Sequence, residues 1–174
     1  EGREQDELAV RKHQQQQAEP GVDDLLAIGP VAPTGIMLPK VEAARDLHIV
    51  DWILAQVERR RGVPEGSIEV LPIIETGRGV AAAGPIADAV TRVKRLMLGA
   101  VDLGLDMDLD LALETGALAQ ARFAVALASR VAGLLPPLDT PFLDVRNPET
   151  LRLSAINARA TGFGLEFQVY AALM

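Results

Sequence analysis

A chain of 174 residues that is 49% hydrophobic but only 3% aromatic has the length for one domain, with a core built from Ala, Val, Leu and Ile. Its formal charge of −7, with no basic stripe and no interleaved aromatics, argues against a nucleic-acid partner. The absence of cysteine rules out disulfides and thiolate metal sites and fits a reducing cytoplasm, and no run approaches the roughly 18 apolar residues of a membrane span.

Residues 1–20 are polar, carry a glutamine tract from Gln14 to Gln17, and are expected to be partly disordered. Within them only Leu8, Ala9 and Val10 offer a short strand, ending near Arg11. Pro20 to Ile28 reads as a short helix, with Asp23 and Asp24 in its first turn and Gly29-Pro30 closing it. Gly35 to Leu38 is a short buried strand that Pro39-Lys40 ends. From about Glu42 to Arg61, Leu47, Val50, Leu54 and Val57 recur at helical spacing, and Gly62 terminates the helix. His48 and Trp52 ride on that helix and read as packing or surface residues.

Ile68 to Ile74 is a β-branched run with an internal proline, too short for a helix and closed by Glu75-Thr76-Gly77. An acid at the carboxyl end of a buried parallel strand is placed where ligands of α/β sheets collect. Glu75 is therefore a candidate for chemistry, or else an acid that favours the positive end of the next helix. Val80 to Arg95 is expected as one helix with Ile86, Val90 and Val93 inward, and Leu96 to Ala100 as a strand ending at Val101-Asp102.

Asp106, Asp108 and Asp110 alternate, but the glycine and glutamate of a calcium loop are replaced by Leu111 and Ala117, so a solvated acidic loop is expected. Gly116 to Ala132 is an Ala-rich helix carrying Arg122, and Leu134 to Leu138 is a candidate strand leading to Asp139. Asn147-Pro148-Glu149 opens a further helix that ends at Gly162, and Phe163 to Ala171 can be a final strand. Strand and helix thus alternate about six times, which implies right-handed βαβ units on a parallel sheet, open or closed.

Glu75 and Asp102 each follow a strand, one βαβ unit apart. If those strands are neighbours, their ends lie about 4.8 Å apart and the two carboxylates converge. Such a pair suits Mg²⁺, which takes one or two protein carboxylates and completes its shell with water and substrate oxygens; Mn²⁺ fits nearly as well. A competing reading takes Gly77 to Gly84, GRGVAAAG, as a dinucleotide-binding loop, but its glycine spacing departs from that pattern and an acid stands where phosphate is expected. Glycines relieving a tight turn explain the same segment.

The segments GIMLPKVEAARDL, LPIIETGRGVAAAGPIA, LMLGAVDLGLDMDL and DVRNPETLRLSAINARATGFG, in this order, resemble the citrate lyase β-subunit branch of the HpcH/HpaI aldolase and citrate lyase family. The resemblance implies a metal-dependent (β/α)₈ TIM-type barrel that makes or cleaves carbon–carbon bonds in acyl-CoA esters or small keto acids. It implies Glu75 and Asp102 as magnesium ligands, and Arg11 as the arginine holding a substrate carboxylate, although His13 and the glutamine tract depart from the family pattern there. Lys40 and Glu42 match a PK-x-E turn that lines the site, or else form a surface ion pair.

The resemblance further implies a single partial barrel over residues 1–174, with about six βα units and the first two strands missing before Arg11. After GFG the family continues into glycine-lysine and I-H-P, whereas this chain reads LEFQVYAALM. An incomplete arc would leave two sheet edges, so a homo-oligomer with little lyase activity is expected, with a noncatalytic assembling domain as the alternative.

Overall fold

The short apolar runs pair as parallel strands, and the longer amphipathic ones cover them. The computed structural model describes residues 25–26, 33–109, 116–140 and 147–164. Within them β1 (Gly35–Leu38), β2 (Glu69–Ile74) and β3 (Met97–Leu98) lie side by side in chain order, all parallel. Gly35 stands opposite Glu69, Leu38 opposite Pro72, and Ile73 opposite Met97. Single parallel bridges carry the same order onward, from Met97 to Leu138 and from Leu138 to Gly164. The described residues thus form an open arc of the α/β barrel type. Arg11, the strand expected at Leu8 to Val10 and most of the helix expected at Pro20 to Ile28 lie outside them.

Helix α1 (Ala44–Arg61) forms where the 3.6-residue period placed it. Asp46 accepts the N–H groups of Glu42 and Ala43 at 3.1 and 3.0 Å, satisfying donors at the helix start, and Gly62 ends it in the left-handed region at φ 68°. Leu47, Val50, Leu54 and Val57 are all buried, while Trp52 is exposed. The core joins these residues to Leu38, Val70, Ile74 and Leu98 on one sheet face, and to Ile86 and Val125 from the later helices. The opposite face is less covered: Met37 is 47% exposed, and Leu71 and Ile73 are half-buried.

Three expectations are corrected. The single helix from Val80 to Arg95 is instead α2 (Gly77–Ala81) and α3 (Ala83–Ala87), followed by an irregular connection. Pro85 has no N–H to bond the carbonyl of Ala81, and its ring crowds that carbonyl, so the helix breaks at Ala82. Val90 is half-buried and Val93 buried as expected, but Val93 reaches the core as a bridge partner of Val70. The strand expected over Leu96 to Ala100 is only two residues long, and Ala100–Asp106 forms helix α4. Asp102 therefore lies in the first turn of a helix, where the macrodipole favours an acid, rather than directly on a strand end. Helices α5 (Gly116–Val131) and α6 (Pro148–Ala160) match expectation, the latter capped by Asn147 accepting the Thr150 N–H at 3.2 Å. The strand read at Leu134 to Leu138 appears as the single bridge at Leu138.

A buried ion pair that the sequence reading did not find closes the amino-terminal end of the sheet. Glu58, fully buried near the end of α1, receives both terminal nitrogens of Arg92 at 2.6 and 2.7 Å and the N–H groups of Ile68 and Gly66 at 2.8 and 2.9 Å. Arg92, 2% exposed, also donates to the Ile68 carbonyl at 3.1 Å and through Nε to Asp51. Burial works to raise the pKa of Glu58, but the Arg92 hydrogen bonds, then those from Ile68 and Gly66, outweigh it and hold it at about 2. Both charges are thus paired and hydrogen-bonded, the condition under which a buried ion is tolerated.

Replacing Glu58 with Ala leaves buried Arg92 with the half-exposed Asp51 as its remaining carboxylate partner and both terminal nitrogens without one, and should cost about 3 kcal/mol, the lower end for breaking a buried pair, in a denaturant titration at neutral pH. Because the folded pKa is depressed, the contribution of Glu58 is complete above its ordinary value of 4.5 and is lost as pH falls toward about 2. Acid unfolding of the parent chain should therefore steepen across that window.

Candidate functional site

The alternation along β2 puts Glu69, Leu71, Ile73 and Glu75 on the less-covered face, and Glu75 is where that face meets the carboxyl end of the strand. Its carboxylate is only 7% exposed. Oε1 accepts the backbone N–H of Lys40 at 2.8 Å. Lys40 follows Pro39 at the end of β1 and has φ 51°, a left-handed conformation that costs a non-glycine residue of order 1–3 kcal/mol and that recurs at functional sites. The strained turn thus aims an amide at the acid of the neighbouring strand.

On the other side, Gly99 closes in from the end of β3. Its N–H bonds the Ile74 carbonyl at 2.9 Å, and a Cβ built there would lie 2.6 Å from Oε2 and 2.7 Å from Cβ of Glu75. Glycine is required because the backbone approaches the carboxylate so closely. Three residues further, in the first turn of α4, is Asp102, half-buried. Burial pushes the pKa of Glu75 up; the Lys40 N–H opposes that, the negative charge of Asp102 adds to it, and the charge of Lys40 opposes it again. The balance stays above the ordinary carboxylate value. Glu75, after β2, and Asp102, in the first turn of α4, are thus close enough for the charge of one to act on the other, although Asp102 does not stand at a strand end as expected.

The turn after Glu75 is fixed from two directions. Thr76 caps α2, its Oγ1 accepting the Gly79 N–H at 3.0 Å, and a Cβ on Gly79 would lie 2.7 Å from the Val41 carbonyl. Gly79 is thus spent on close packing of the two strand-end turns, which explains the middle glycine of GRGVAAAG without a phosphate. Glu42 lies opposite Arg78 at 3.7 Å, the surface ion pair that was its alternative reading. Asp106, expected in a solvated loop, instead ends α4 and accepts the Gly77 N–H at 2.8 Å. Asp139 is buried and paired with Arg122 at 3.1 Å, tying α5 to the chain beyond Leu138.

Among the described residues, no group of three or more His, Asp or Glu side chains is placed to hold a metal. The donor set here is the pair Glu75 and Asp102, which matches a hard cation that takes two carboxylates and keeps water or substrate in its remaining positions. At Gly99 any side chain would collide with Oε2, so the glycine keeps that oxygen from being covered. A groove of about 500 Å³ lined by Met37, Glu69, Leu71 and Arg95 lies toward the other end of the strands and includes none of these residues. No helix of the described residues is long and apolar enough to cross a membrane.

A family model described as HpcH/HpaI aldolase/citrate lyase matches residues 4–170. The chain is 29% identical over 143 residues to the citrate lyase subunit beta of Haemophilus influenzae, covering 82% of this chain and 49% of that protein. It is 30% identical over 159 residues to the L-malyl-CoA/beta-methylmalyl-CoA lyase of Rhodobacter capsulatus, covering 81% and 49%. Among solved structures, the citrate lyase beta subunit of M. tuberculosis complexed with oxaloacetate and magnesium superposes with a TM-score of 0.64 at 27% identity, over 86% of this chain and 64% of that one. The chain spans about half the length of the curated relatives it matches.

Substituting Gly99 with Ala should force Glu75 or the end of β3 to move, at about 1–3 kcal/mol, the range for overpacking. A double-mutant cycle with Glu75→Gly measures it: the coupling should be favourable, since removing the Glu75 side chain makes room for the added methyl. Additive costs would show that the two residues do not press on one another.

Proposed function

We propose, from the premise that this chain belongs to the HpcH/HpaI aldolase/citrate lyase family, that it serves a metal-dependent carbon–carbon lyase reaction on a hydroxyacyl-CoA ester. The substrate class is the citryl-, malyl- or citramalyl-CoA type, and the products are acetyl-CoA and a 2-keto acid. The observation that carries this reading is the desolvated Glu75 carboxylate, gripped between the Lys40 N–H and Gly99 with the charge of Asp102 beside it. The lyase relatives and the magnesium and oxaloacetate of the M. tuberculosis neighbour support it.

Magnesium, or manganese in its place, held by Glu75 and Asp102 would supply Lewis acidity toward the oxygens of the keto acid. The Lys40 N–H occupies Oε1 of Glu75 and so fixes the orientation of the other oxygen. Arg11 is assigned to the substrate carboxylate, which a guanidinium binds through two parallel hydrogen bonds. Lys40 and Glu42 border the site, with Glu42 turned toward Arg78. In the cleavage direction the substrate hydroxyl loses its proton as the keto-acid carbonyl forms. The carbon–carbon bond breaks, and its electron pair goes to the acyl-CoA carbon, which takes up a proton. A cytoplasmic homo-oligomer completes the proposal.

A second reading, a noncatalytic assembling domain, is favoured by one observation: the sheet face carrying Met37, Leu71 and Ile73 is incompletely covered among the described residues. Acetyl-CoA release from malyl-CoA or citryl-CoA, followed with and without a magnesium chelator, separates the two. Weak, chelator-sensitive turnover is expected, and an oligomer of defined mass with no turnover would support the second reading.

Glu75→Gln should abolish any rise in thermal midpoint caused by magnesium. In the metal-free protein the same substitution should be neutral or stabilising at neutral pH. The raised pKa of Glu75 means that its contribution is lost as pH rises from the ordinary carboxylate value through the raised one, and an amide escapes that loss.

A further inference from the structure

We propose that Asp106 is a positioning residue that sets the separation between Glu75 and Asp102, an inference that rests on reading those two acids as the cation pair. Glu75 belongs to the end of β2 and Asp102 to the first turn of α4; the Gly99 N–H on the Ile74 carbonyl holds the start of α4 to β2, but the far end of the helix can swing unless a second contact holds it. The tie is visible. Asp106, at the last position of α4, accepts through Oδ2 the N–H of Gly77, the second residue after Glu75, at 2.8 Å.

Several features show that this bond is specific. Asp102 and Asp106 are four residues apart on one helix, so they lie on the same face about 6 Å apart along the axis. An acid in the last turn of a helix is disfavoured by the carbonyl end of its own dipole, so Asp106 gains little from α4 itself. Gly77 opens α2, and its N–H is one of the donors that a helix start leaves without an internal partner. Each group therefore satisfies a need in the other element. The elements lie close here: a Cβ added at Gly77 would come within ordinary contact distance, 3.4 Å, of Cγ and Sδ of Met107 and 3.7 Å of Oδ2 of Asp106. Asp106 spends that oxygen on the backbone, and no three-carboxylate cation group is formed among the described residues. The side chain thus holds the helix bearing Asp102 against the turn that follows Glu75.

The test compares magnesium affinity, by calorimetry on the purified chain, among the parent, Asp106→Ala, Asp106→Asn and Glu75→Gln, with hydrogen exchange at the Gly77 amide read in parallel. Both Asp106 substitutions remove one negative charge, so any general electrostatic effect is common to them. Only Asn keeps an oxygen that can accept the Gly77 N–H. Asp106→Ala is expected to weaken magnesium binding about tenfold, the lower end of the range for groups that orient metal ligands, and to speed exchange at Gly77. Asp106→Asn is expected to restore both. Unchanged affinity in Asp106→Ala, or an Asn variant as weak as the Ala variant, overturns the positioning role. Magnesium affinity left unchanged by Glu75→Gln overturns the cation pair, and this proposal with it.

Discussion

The arrangement of the sheet depends on the pairing of Glu58 with Arg92. These charges come from α1 and from the connection that precedes β3, and they meet at the start of β2, where Glu58 also takes the N–H groups of Ile68 and Gly66. One carboxylate thus orders three consecutive segments of chain. Its net contribution to stability against a well-packed apolar replacement is expected to be small, because desolvating two ions costs nearly what their attraction returns. What it supplies is discrimination. Any register that moves Arg92 away from Glu58 leaves two bare charges in the interior, so the approach of β3 to β2 has few competitors.

That constraint acts at the amino-terminal end of the strands, and its effect is felt at the other end. Once Val93 bridges Val70 and Ile73 stands opposite Met97, the chain arrives at Gly99 beside Glu75, with Asp102 in the turn of helix that follows. In barrels of this type, interactions at the amino-terminal face serve stability and residues at the carboxyl face serve chemistry. Here the first group is fully paired and almost dry. The second is also desolvated but only partly paired, since Glu75 has one backbone donor, a nearby lysine charge and a nearby negative charge.

The elements legible in the sequence were those whose information is local. The period of Leu47, Val50, Leu54 and Val57 and the glycine behind them marked α1 to within two residues, and Asn147-Pro148 marked the start of α6. Glu75 was legible because a single acid closes a β-branched run. Pro85 was also in view, yet the alternation of Ile86, Val90 and Val93 suggested one helix, and the missing N–H decided otherwise. Helix α4 was hidden because Ala100 was read as the end of a strand and the alternating acids as a loop, while its stability comes from burying Leu103 and Ala100. Neither the Glu58 to Arg92 pair nor the Asp106 to Gly77 bond leaves a trace in spacing. Their partners are brought together by sheet register, and a single charged residue on a helix face looks the same whether it meets water or an arginine.

The strain and desolvation around Glu75 point in one direction. Lys40 adopts a left-handed backbone, Gly99 gives up any side chain, and Glu75 is taken out of water near another carboxylate. Each is unfavourable in the metal-free protein, and the surrounding packing must hold it in place. A bound cation would offset both influences that raise the Glu75 pKa, burial first and the charge of Asp102 second, because both penalise an uncompensated negative charge. Proton and cation then compete for the same oxygens, so affinity would rise with pH until Glu75 is fully ionised. A purely structural acid at a strand end would gain nothing from being buried beside a second acid, and water would solvate it more favourably. The burial of Glu75 beside Asp102 is therefore the cost that the proposed cation would offset.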